Sequence, residues 1–317
     1  MTTRPELSEQ RRYLDEHNGL TGLELVDPTD VERAVRIFRR DGFVVVRDVL
    51  DAEETAALRR ASAEAVKAIL AAEAEADDRA AGRGNRGRGR YSFGGSSLTR
   101  SMLHLAEWRM LVDHPRLTPL VTAIFESADY VVRSGSGDFC LPGTTDYQVL
   151  HSDMRGYRPS APSPFSSFHD PRGILSTREL PCPYVCANVL VDDQTRLNGP
   201  TRQIPGSQHS RASSPSLEDE PEWMRLSTVC PAPAGSVQLR DVRAWHGGTP
   251  NVSDDVRMIP NIEFYAPWFR EPTEPCMTSD QWAELSEHGR RITRHLVAHP
   301  GEELEFGYRV QQLHQQR

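Results

Sequence analysis

The N-terminal quarter of the chain alternates helical and extended patterns of hydrophobic residues. Asp30 is placed to cap an amphipathic helix that runs through Arg40. The apolar run Phe43 to Val46 follows and has the composition of a buried strand. Asp51 and Glu54 then have the spacing of a capping box that opens a second, longer helix. These patterns predict helix, strand and helix, packed against a sheet.

From about residue 126 to residue 270 the chain consists of short β-type runs separated by Gly, Pro, Asn and Ser. Strands this short and this closely spaced are typical of a sandwich, a jelly roll or a barrel. We therefore expect one mainly β domain with flanking helices over residues 1–317, with a helical part at about 1–125, the β core at about 126–270 and a C-terminal helix at about 279–298. The runs are Tyr130 to Val132, Tyr147 to Leu150, Tyr184 to Val191, Ser236 to Leu239 and Met258 to Tyr265.

Two segments lack hydrophobic periodicity, and we predict that both are mobile loops. Residues 76–100 are rich in Gly, Arg and Ser and contain the spacing G-x-G-x-x-G. A dinucleotide fingerprint needs a strand before it and a helix after it, whereas here a helix precedes and more glycine follows. Residues 155–178 carry too many prolines for the interior of a sheet.

Composition and charge narrow the class of partner. The chain is 38% hydrophobic and 26% charged, as in an ordinary globular protein, and its net charge of -8 disfavours nucleic acid and anionic membranes. Its apolar runs are shorter than the roughly 20 residues of a membrane-spanning helix. Five cysteines without a paired C-x-x-C pattern and a first segment without a signal-peptide pattern predict reduced thiols and a cytoplasmic location. We expect a small-molecule partner; these patterns leave the oligomeric state open.

The chemistry is concentrated in the β region. His151 and Asp153 are two positions apart directly after an apolar run, so on an extended strand both side chains point to one face. With 11 histidines in the chain, one such pair is expected by chance, so the rest of the region decides its meaning. His246 follows another β-type run, and a turn-rich stretch then leads to Arg257. If this stretch closes a hairpin, Arg257 lies beside His246. Two imidazoles, a carboxylate and an arginine suit a non-haem Fe(II) oxygenase with a dicarboxylate co-substrate.

At this point the sequence resembles the phytanoyl-CoA dioxygenase (PhyH) family of Fe(II)/2-oxoglutarate-dependent oxygenases. The resemblance implies a double-stranded β-helix, the jelly-roll core of cupin-like proteins. It also implies that His151, Asp153 and His246 ligate Fe(II), that Arg257 binds 2-oxoglutarate, and that O2 is the second co-substrate. The motifs that carry it are His151-Ser152-Asp153, Asn198-Gly199-Pro200, Ile204 to His209, Trp245-His246-Gly247-Gly248 with Asn251, Arg257, and the opening Asp41 to Val46.

Other contacts are predicted by position relative to these motifs. Some family members carry a serine two residues after the distal histidine, where this chain has Gly248, and the adjacent Thr249 offers a hydroxyl to the co-substrate instead. Gln148 and Asn188 are further candidates to line the co-substrate pocket. The candidates for substrate contact, on the loop that follows the first two metal ligands, are Arg155, Tyr157 and His169.

The expected reaction is oxidation of a C–H bond of a small molecule in natural-product biosynthesis, with hydroxylation as the default and desaturation or ring formation as variants. Related halogenases have a small residue in place of Asp153, so the carboxylate argues against halogenation. Two other functions stay open. A zinc hydrolase or isomerase could use the same donors, although Arg257 and the family motifs argue against it. A catalytically silent binding module would not need all three metal ligands.

Overall fold

The structure, a computed structural model, describes residues 5–76, 84–95, 100–154 and 170–304, which form eight α-helices and nine strands. The helices are α1 (Pro5–His17), α2 (Val31–Asp41), α3 (Ala52–Ala76), α4 (Ala106–Arg109), α5 (Thr118–Phe125), α6 (Glu222–Leu226), α7 (Ser279–Ala283) and α8 (Glu287–Thr293). The strands are β1 (Leu25–Val26), β2 (Phe43–Val46), β3 (Arg90–Gly94), β4 (Val131–Cys140), β5 (Tyr184–Val189), β6 (Arg202–Gln203), β7 (Val237–Asp241), β8 (His246–Gly247) and β9 (Arg257–Tyr265).

Seven of the strands form one twisted sheet in the order β1-β2-β7-β5-β9-β4-β3, and β6 pairs with β8 in a second, two-stranded sheet. Apart from the parallel pair β1 and β2, the pairings within these sheets are antiparallel. A cavity lies between the two sheets and is lined by side chains from β3, β4, β5, β7 and β9 on one side and from β8 on the other. The prediction of a mainly β, jelly-roll protein with flanking helices is confirmed.

The large sheet has one apolar face and one polar face, and the alternation along β9 shows why. Met258, Ile262 and Phe264 pack in the main hydrophobic core, whereas residues 257, 259, 261 and 263 line the cavity. The apolar face is covered by α2, α3 and α5, which contribute residues such as Phe38, Leu58 and Leu120 to the core. Period-two alternation therefore separates the packed core from the site.

The predicted start of the fold is confirmed at its caps. The Asp30 side chain accepts a hydrogen bond from the Arg33 backbone N–H at the start of α2, and Gly42 ends this helix with φ at 82°. The Asp51 carboxylate accepts from the backbone N–H groups of Glu53 and Glu54, while Glu54 accepts from the Asp51 N–H. These reciprocal bonds form the predicted capping box. Within the described residues no helix is long and apolar enough to cross a membrane.

We expect Asp30→Ala to lower the free energy of unfolding by about 1 kcal/mol, because it removes the side-chain acceptor at the N-terminus of α2. Urea unfolding followed by circular dichroism measures this change. Asp254→Ala is the matched control, since the Asp254 side chain is 94% exposed. The interpretation is wrong if both variants lose the same stability.

The prediction of a loop over the whole of residues 76–100 is wrong. Part of the predicted loop 76–100 is strand β3, which pairs with β4 over its whole length and buries Tyr91 and Phe93. A Cβ on Gly137 of β4 would lie 2.4 Å from the ring of Phe93, so glycine at this position makes room for the aromatic ring. The small residues of β4 make it look unlike a strand in the sequence, but the structure uses their small size for packing. Residues 77–83 and 96–99 lie outside the described residues.

The prediction of a strand at Tyr147 to Leu150 is wrong, since these residues form no strand in the structure. Gln148 N–H donates to the Gly248 carbonyl, and His151 forms a β-bridge with His246. The register shifts by one residue between these two contacts, which interrupts the ladder. Of the predicted loop 155–178, residues 170–178 are irregular as expected and 155–169 lie outside the described residues.

The C-terminal helix predicted at about 279–298 is interrupted. It consists of α7, α8 and a final 3-10 turn, Arg294–Leu296. The Ser286 side chain accepts from the Gly289 N–H and caps α8 as a separate helix. Leu285, Ile292 and Leu296 are buried in the main hydrophobic core.

Candidate metal centre

The structure brings His151, Asp153 and His246 together. The Nε2 atoms of His151 and His246 lie 3.8 and 3.5 Å from Asp153 Oδ1, and one donor atom from each of the three residues lies within 4.8 Å of the others. An ion that binds imidazole nitrogen and carboxylate oxygen at about 2 Å can contact all three atoms with small side-chain adjustments. Two nitrogens and one oxygen are donors that suit Fe(II), and they also suit Zn(II).

Backbone hydrogen bonds fix the three ligands. His151 and His246 exchange both of their N–H···O bonds, at 3.0 and 2.9 Å, and so form a closely spaced antiparallel pair. The Asp153 N–H donates to the carbonyl of Val242, four residues before His246. The segment from His151 to Asp153 is therefore anchored to the segment from Val242 to His246, which carries the distal histidine.

The orientation of both imidazoles is set by carbonyl oxygens. His151 Nδ1 lies 3.0 Å from the Val149 carbonyl, and His246 Nδ1 lies 3.0 Å from the Ala244 carbonyl. A carbonyl oxygen can only accept, so Nδ1 of each ring carries the proton and Nε2 keeps its lone pair. Both lone pairs are thereby available on the side of the Asp153 carboxylate.

The electrostatics keep these groups in their metal-binding protonation states. Burial and the Arg240 guanidinium lower the pKa of His246 to about 4, and burial lowers the pKa of His151. Burial would raise the pKa of Asp153, but Arg240 and the two histidines hold that pKa well below its ordinary value. At neutral pH the site offers two neutral imidazoles and one carboxylate.

Arg240 on β7 is a site residue that the sequence analysis missed. Its Nη2 donates to Asp153 Oδ2 at 2.8 Å, which leaves Oδ1 directed at the imidazoles. The arginine is the fourth residue of β7, whose five residues are all buried, and Gln238 two positions earlier faces the same side of the sheet. Two polar side chains at a spacing of two within a buried strand are the signal that could have identified it.

We expect Arg240→Gln to weaken divalent metal binding by about 10- to 100-fold, the range for loss of a residue that orients a ligand. Binding of Mn(II), measured by calorimetry, tests this. Arg59→Gln, which breaks a surface ion pair with Asp192, should leave Mn(II) affinity unchanged. Equal affinities in both variants would show that Arg240 does not support Asp153.

The metal-ligand cluster opens into a cavity of about 260 Å³ with a mostly polar lining. Arg257 lines the same cavity and is only 6% exposed. Among the described residues, its guanidinium has neither a hydrogen-bond partner nor an ion-pair partner. A buried cation without a counter-charge is costly, so this end of the cavity suits an anionic ligand.

The predicted hairpin between His246 and Arg257 is wrong, although both residues line the cavity. Strand β8 pairs with β6, whereas β9 pairs with β4 and β5, so Arg257 lies opposite Cys140. The two residues therefore belong to opposite sheets. Asn251 holds the turn between them through bonds from its Nδ2 to the carbonyls of Cys140 and Asp255.

The structure separates the remaining candidates for co-substrate contact. Gln148 and Asn188 line the cavity; the Gln148 amide accepts from the Gly248 N–H, and Asn188 Oδ1 accepts from Cys186 Sγ. The Thr249 hydroxyl donates to the Pro200 carbonyl and is fully buried, away from the cavity lining. Its predicted contact with a co-substrate is therefore not supported by its position. Arg155, Tyr157 and His169 lie outside the described residues.

A row of polar side chains crosses the cavity face of the large sheet. Ser136, Asn261, Asn188 and Gln238 are aligned by register across β4, β9, β5 and β7. Beside this row, Asp138 lines the cavity, and Glu263 is paired with Arg133. The sequence does not reveal this row, because the four residues come from four different strands and become neighbours only when those strands pair in register.

The segment Ile204 to His209 supports the distal histidine from outside the cavity. The Ile204 N–H donates to the Trp245 carbonyl, and the Trp245 N–H donates to the Ser207 hydroxyl at 2.8 Å. These bonds hold the residue before His246 on both sides. His209 itself is exposed and lies outside the metal-ligand cluster.

Comparison with known proteins identifies a matching family and proteins with a similar fold. The family model for phytanoyl-CoA dioxygenase (PhyH) matches residues 38–259. The fold is similar to that of the epimerase SnoN, whose structure was solved with Fe3+, alpha-ketoglutarate and nogalamycin RO. The TM-score is 0.51 and the identity is 20%. The match covers 75% of this chain and 84% of SnoN. AviO1 from Streptomyces viridochromogenes Tue57 has a TM-score of 0.47 and 21% identity, covering 77% of this chain and 98% of AviO1. The carbocyclase SnoK from nogalamycin biosynthesis has a TM-score of 0.46 and 20% identity. The match covers 76% of this chain and 87% of SnoK.

Proposed function

Because the chain belongs to the phytanoyl-CoA dioxygenase (PhyH) family, we propose that it is an Fe(II)/2-oxoglutarate-dependent oxygenase that oxidises a C–H bond of a small molecule. One observation carries the proposal. Three metal-binding side chains share one cavity with a buried arginine that has no counter-charge among the described residues, although His246 and Arg257 belong to opposite sheets. A metal site and a separate anion site in one cavity suit a ligand that is both a chelator and a carboxylate.

His151, Asp153 and His246 would hold the iron. Bound Fe(II) supplies the centre at which O2 is reduced while 2-oxoglutarate is converted to succinate and CO2. Arg257 binds the distal carboxylate of the co-substrate through charge-assisted hydrogen bonds from a guanidinium that has no competing acceptor among the described residues. Arg240 holds Asp153 in its ligating orientation. Gln148 orients the Gly248 backbone at the cavity wall, and Asn188 contributes an amide to the polar row.

The substrate is a small molecule with polar groups, because the wall of the cavity beyond the metal ligands is the polar face of the large sheet. We place it among natural-product scaffolds, since SnoN is described in complex with such a compound. Hydroxylation is the default outcome, and desaturation or ring formation would use the same site. A cytoplasmic location is supported by five cysteines that are all free thiols.

The zinc hydrolase or isomerase reading explains the three ligands but not Arg257. A zinc site that activates water needs an open coordination position. It does not need a buried cation that binds a dicarboxylate. A guanidinium that has no partner in the part of the chain that the structure describes therefore favours the oxygenase.

Anaerobic titration with Fe(II) and 2-oxoglutarate, followed by exposure to O2, tests this function. Calorimetry should show that 2-oxoglutarate binds more tightly in the presence of Fe(II), and succinate should form only when Fe(II), 2-oxoglutarate and O2 are all present with a panel of candidate substrates. The same protein loaded with Zn(II) should form no succinate. Metal-independent binding of 2-oxoglutarate, or no binding at all, would contradict the proposed function.

A further inference from the structure

A second cavity adjoins the metal cavity, and the side chain of Arg133 lines both of them. The metal cavity measures about 260 Å³, less than the roughly 300–1,000 Å³ of sites that hold drug-sized ligands, and it also has to hold a co-substrate. A natural-product substrate therefore needs further space. The second cavity adds about 190 Å³, and its walls include Arg133, Ser134 and Tyr265 of the large sheet and residues 100–101 and 272–276.

A β-bulge in β4 places Arg133 between the two cavities. Val132 lies opposite Phe264 of β9, and Ser134 lies opposite the adjacent residue Glu263, so Arg133 is an extra residue in the ladder. A bulge of this kind interrupts the alternation of side chains and redirects one of them. Arg133 and Ser134 therefore both line the second cavity, although they are neighbours in a strand.

Arg133 is held by contacts that leave one of its nitrogens free. Its Nε donates to the Tyr265 hydroxyl at 2.8 Å, and its Nη1 donates to Glu263. The guanidinium carbon lies 5.6 Å from the centre of the Tyr184 ring. Nη2 has no hydrogen-bond partner among the described residues, and protein atoms do not enclose it completely. Two N–H donors of a fixed guanidinium are therefore available to a ligand.

The charged groups around the second cavity are balanced, so the cavity suits a neutral ligand. Arg133 is paired with Glu263, and its Nε lies 3.5 Å from Glu271. Arg100 is paired with Glu274 at 2.8 Å. Within the described part of its lining, every charged side chain thus has a counter-charge. A neutral oxygen can accept from Nη2 of Arg133, whereas an anion would be repelled by the two carboxylates beside it.

The other residues of this cavity combine hydrogen-bonding groups with apolar surfaces. Ser101 and Thr273 contribute hydroxyl groups, and Pro272 and Pro275 contribute apolar rings. A sugar ring presents the same combination, with hydroxyl groups at its edge and C–H groups on its faces. The class of ligand that fits this lining is a neutral ring that bears several oxygens.

We propose that the second cavity binds a sugar unit of the substrate, and that Arg133 determines this specificity by donating from Nη2 to sugar oxygens. The inference rests on the proposed function, because it places the carbon that is oxidised at the metal and the sugar in the adjoining cavity. The substrate is then a neutral glycosylated molecule that spans both cavities. Arg133 acts in binding and takes no part in the oxidation itself.

Nuclear magnetic resonance on protein loaded with Mn(II) and 2-oxoglutarate tests this proposal. The probes are the methyl glycosides of neutral hexoses and deoxyhexoses, since bound Mn(II) broadens the proton resonances of a ligand that lies near it. We expect at least one of these glycosides to be broadened with Mn(II) and not with Zn(II). Its uronic acid counterpart should bind about tenfold more weakly or worse, because its carboxylate meets Glu263 and Glu271.

Thr273→Trp fills the second cavity without removing a side-chain hydrogen bond to the described residues. It should abolish the broadening of the glycoside and leave the calorimetric affinities for Mn(II) and 2-oxoglutarate unchanged. Thr21→Trp is the matched control, since Thr21 is exposed and lines neither cavity.

Arg133→Lys keeps a positive charge beside Glu263 but removes the free Nη2 donors. We expect this variant to bind the glycoside about tenfold more weakly or worse, the usual effect of losing a hydrogen bond from a charged group. Its affinity for 2-oxoglutarate should equal that of the wild-type protein. If Arg133→Lys does not fold, Thr273→Trp and the uronic acid comparison decide.

The outcomes separate this inference from the proposed function. If 2-oxoglutarate binds but no glycoside is broadened, or Thr273→Trp binds the glycoside as tightly as Thr21→Trp, the sugar site is overturned and the oxygenase function stands. A uronic acid that binds as tightly as the neutral glycoside would overturn the assigned class of ligand. If the wild-type protein binds no 2-oxoglutarate, both proposals are overturned.

Discussion

Replacing His246 with alanine abolishes metal-dependent turnover of 2-oxoglutarate. The variant retains only His151 and Asp153, one imidazole and one carboxylate, on a cavity wall that keeps the positive charge of Arg240. We expect Mn(II) or Fe(II) affinity to fall by at least about 100-fold, since loss of groups that only orient a ligand already costs 10- to 100-fold. Metal binding by calorimetry and succinate formation under O2 measure the two consequences.

His209→Ala is the matched control for this variant. His209 is exposed and lies outside the metal-ligand cluster, so its replacement should leave metal affinity and succinate formation at wild-type levels. If His246→Ala binds metal as tightly as His209→Ala, the metal is held elsewhere in the protein and the candidate centre is wrong.

Replacing Arg257 with glutamine raises the dissociation constant for 2-oxoglutarate by about 30-fold or more, because truncating one partner of a buried charge pair costs 2–5 kcal/mol and each 1.4 kcal/mol is tenfold. The metal affinity should stay unchanged, because Arg257 forms no hydrogen bond or ion pair with the three metal ligands. Calorimetric titration of the Mn(II)-loaded protein separates the two quantities.

Arg86→Gln controls for a general effect of positive charge near the cavity. Arg86 also lines the cavity but is exposed, so solvent screens its charge and we expect less than a twofold change. Equal losses in Arg257→Gln and Arg86→Gln would indicate that the anion is attracted by the overall field rather than bound by Arg257.

The sequence predicts those parts of the fold that are determined locally. The caps at Asp30 and Asp51 depend on side chains within three residues of the backbone groups they satisfy, and both are found. The strand Phe43–Val46 is buried along its whole length, as a continuous apolar run implies. The break before α8 is also determined locally, by the Ser286 cap. It was not predicted because the hydrophobic residues on both sides of Ser286 follow one continuous helical spacing.

Elements whose sequence is governed by distant neighbours are not predictable in this way. The segment Ser134 to Gly137 of β4 looks like a loop because it is rich in small residues, yet Gly137 is small to accommodate Phe93 from another strand. The same limit applies to strand pairing. Arg257 was assigned to a hairpin with His246, whereas its neighbours are residues of β4 and β5.

The site residues also fall into those that the local sequence predicts and those that depend on distant neighbours. The spacing of His151 and Asp153 is a local signal. His246 and Arg257 are indicated by the β-type run and the turn-rich stretch that precede them, and the likeness to the family implies their roles. Arg240 could not be assigned, because it orients Asp153, a residue far away in the sequence. The hydroxyl of Thr249 was assigned from its position in the chain alone, and the structure turns it towards Pro200.

A crystal structure of the protein with Mn(II) and 2-oxoglutarate, with anomalous diffraction recorded at the manganese absorption edge, tests the central claim most directly. We predict one anomalous peak bonded to Nε2 of His151, Nε2 of His246 and a carboxylate oxygen of Asp153, with the distal carboxylate of the co-substrate on the Arg257 guanidinium. A peak at other residues, or a co-substrate that leaves Arg257 unpaired, would contradict it.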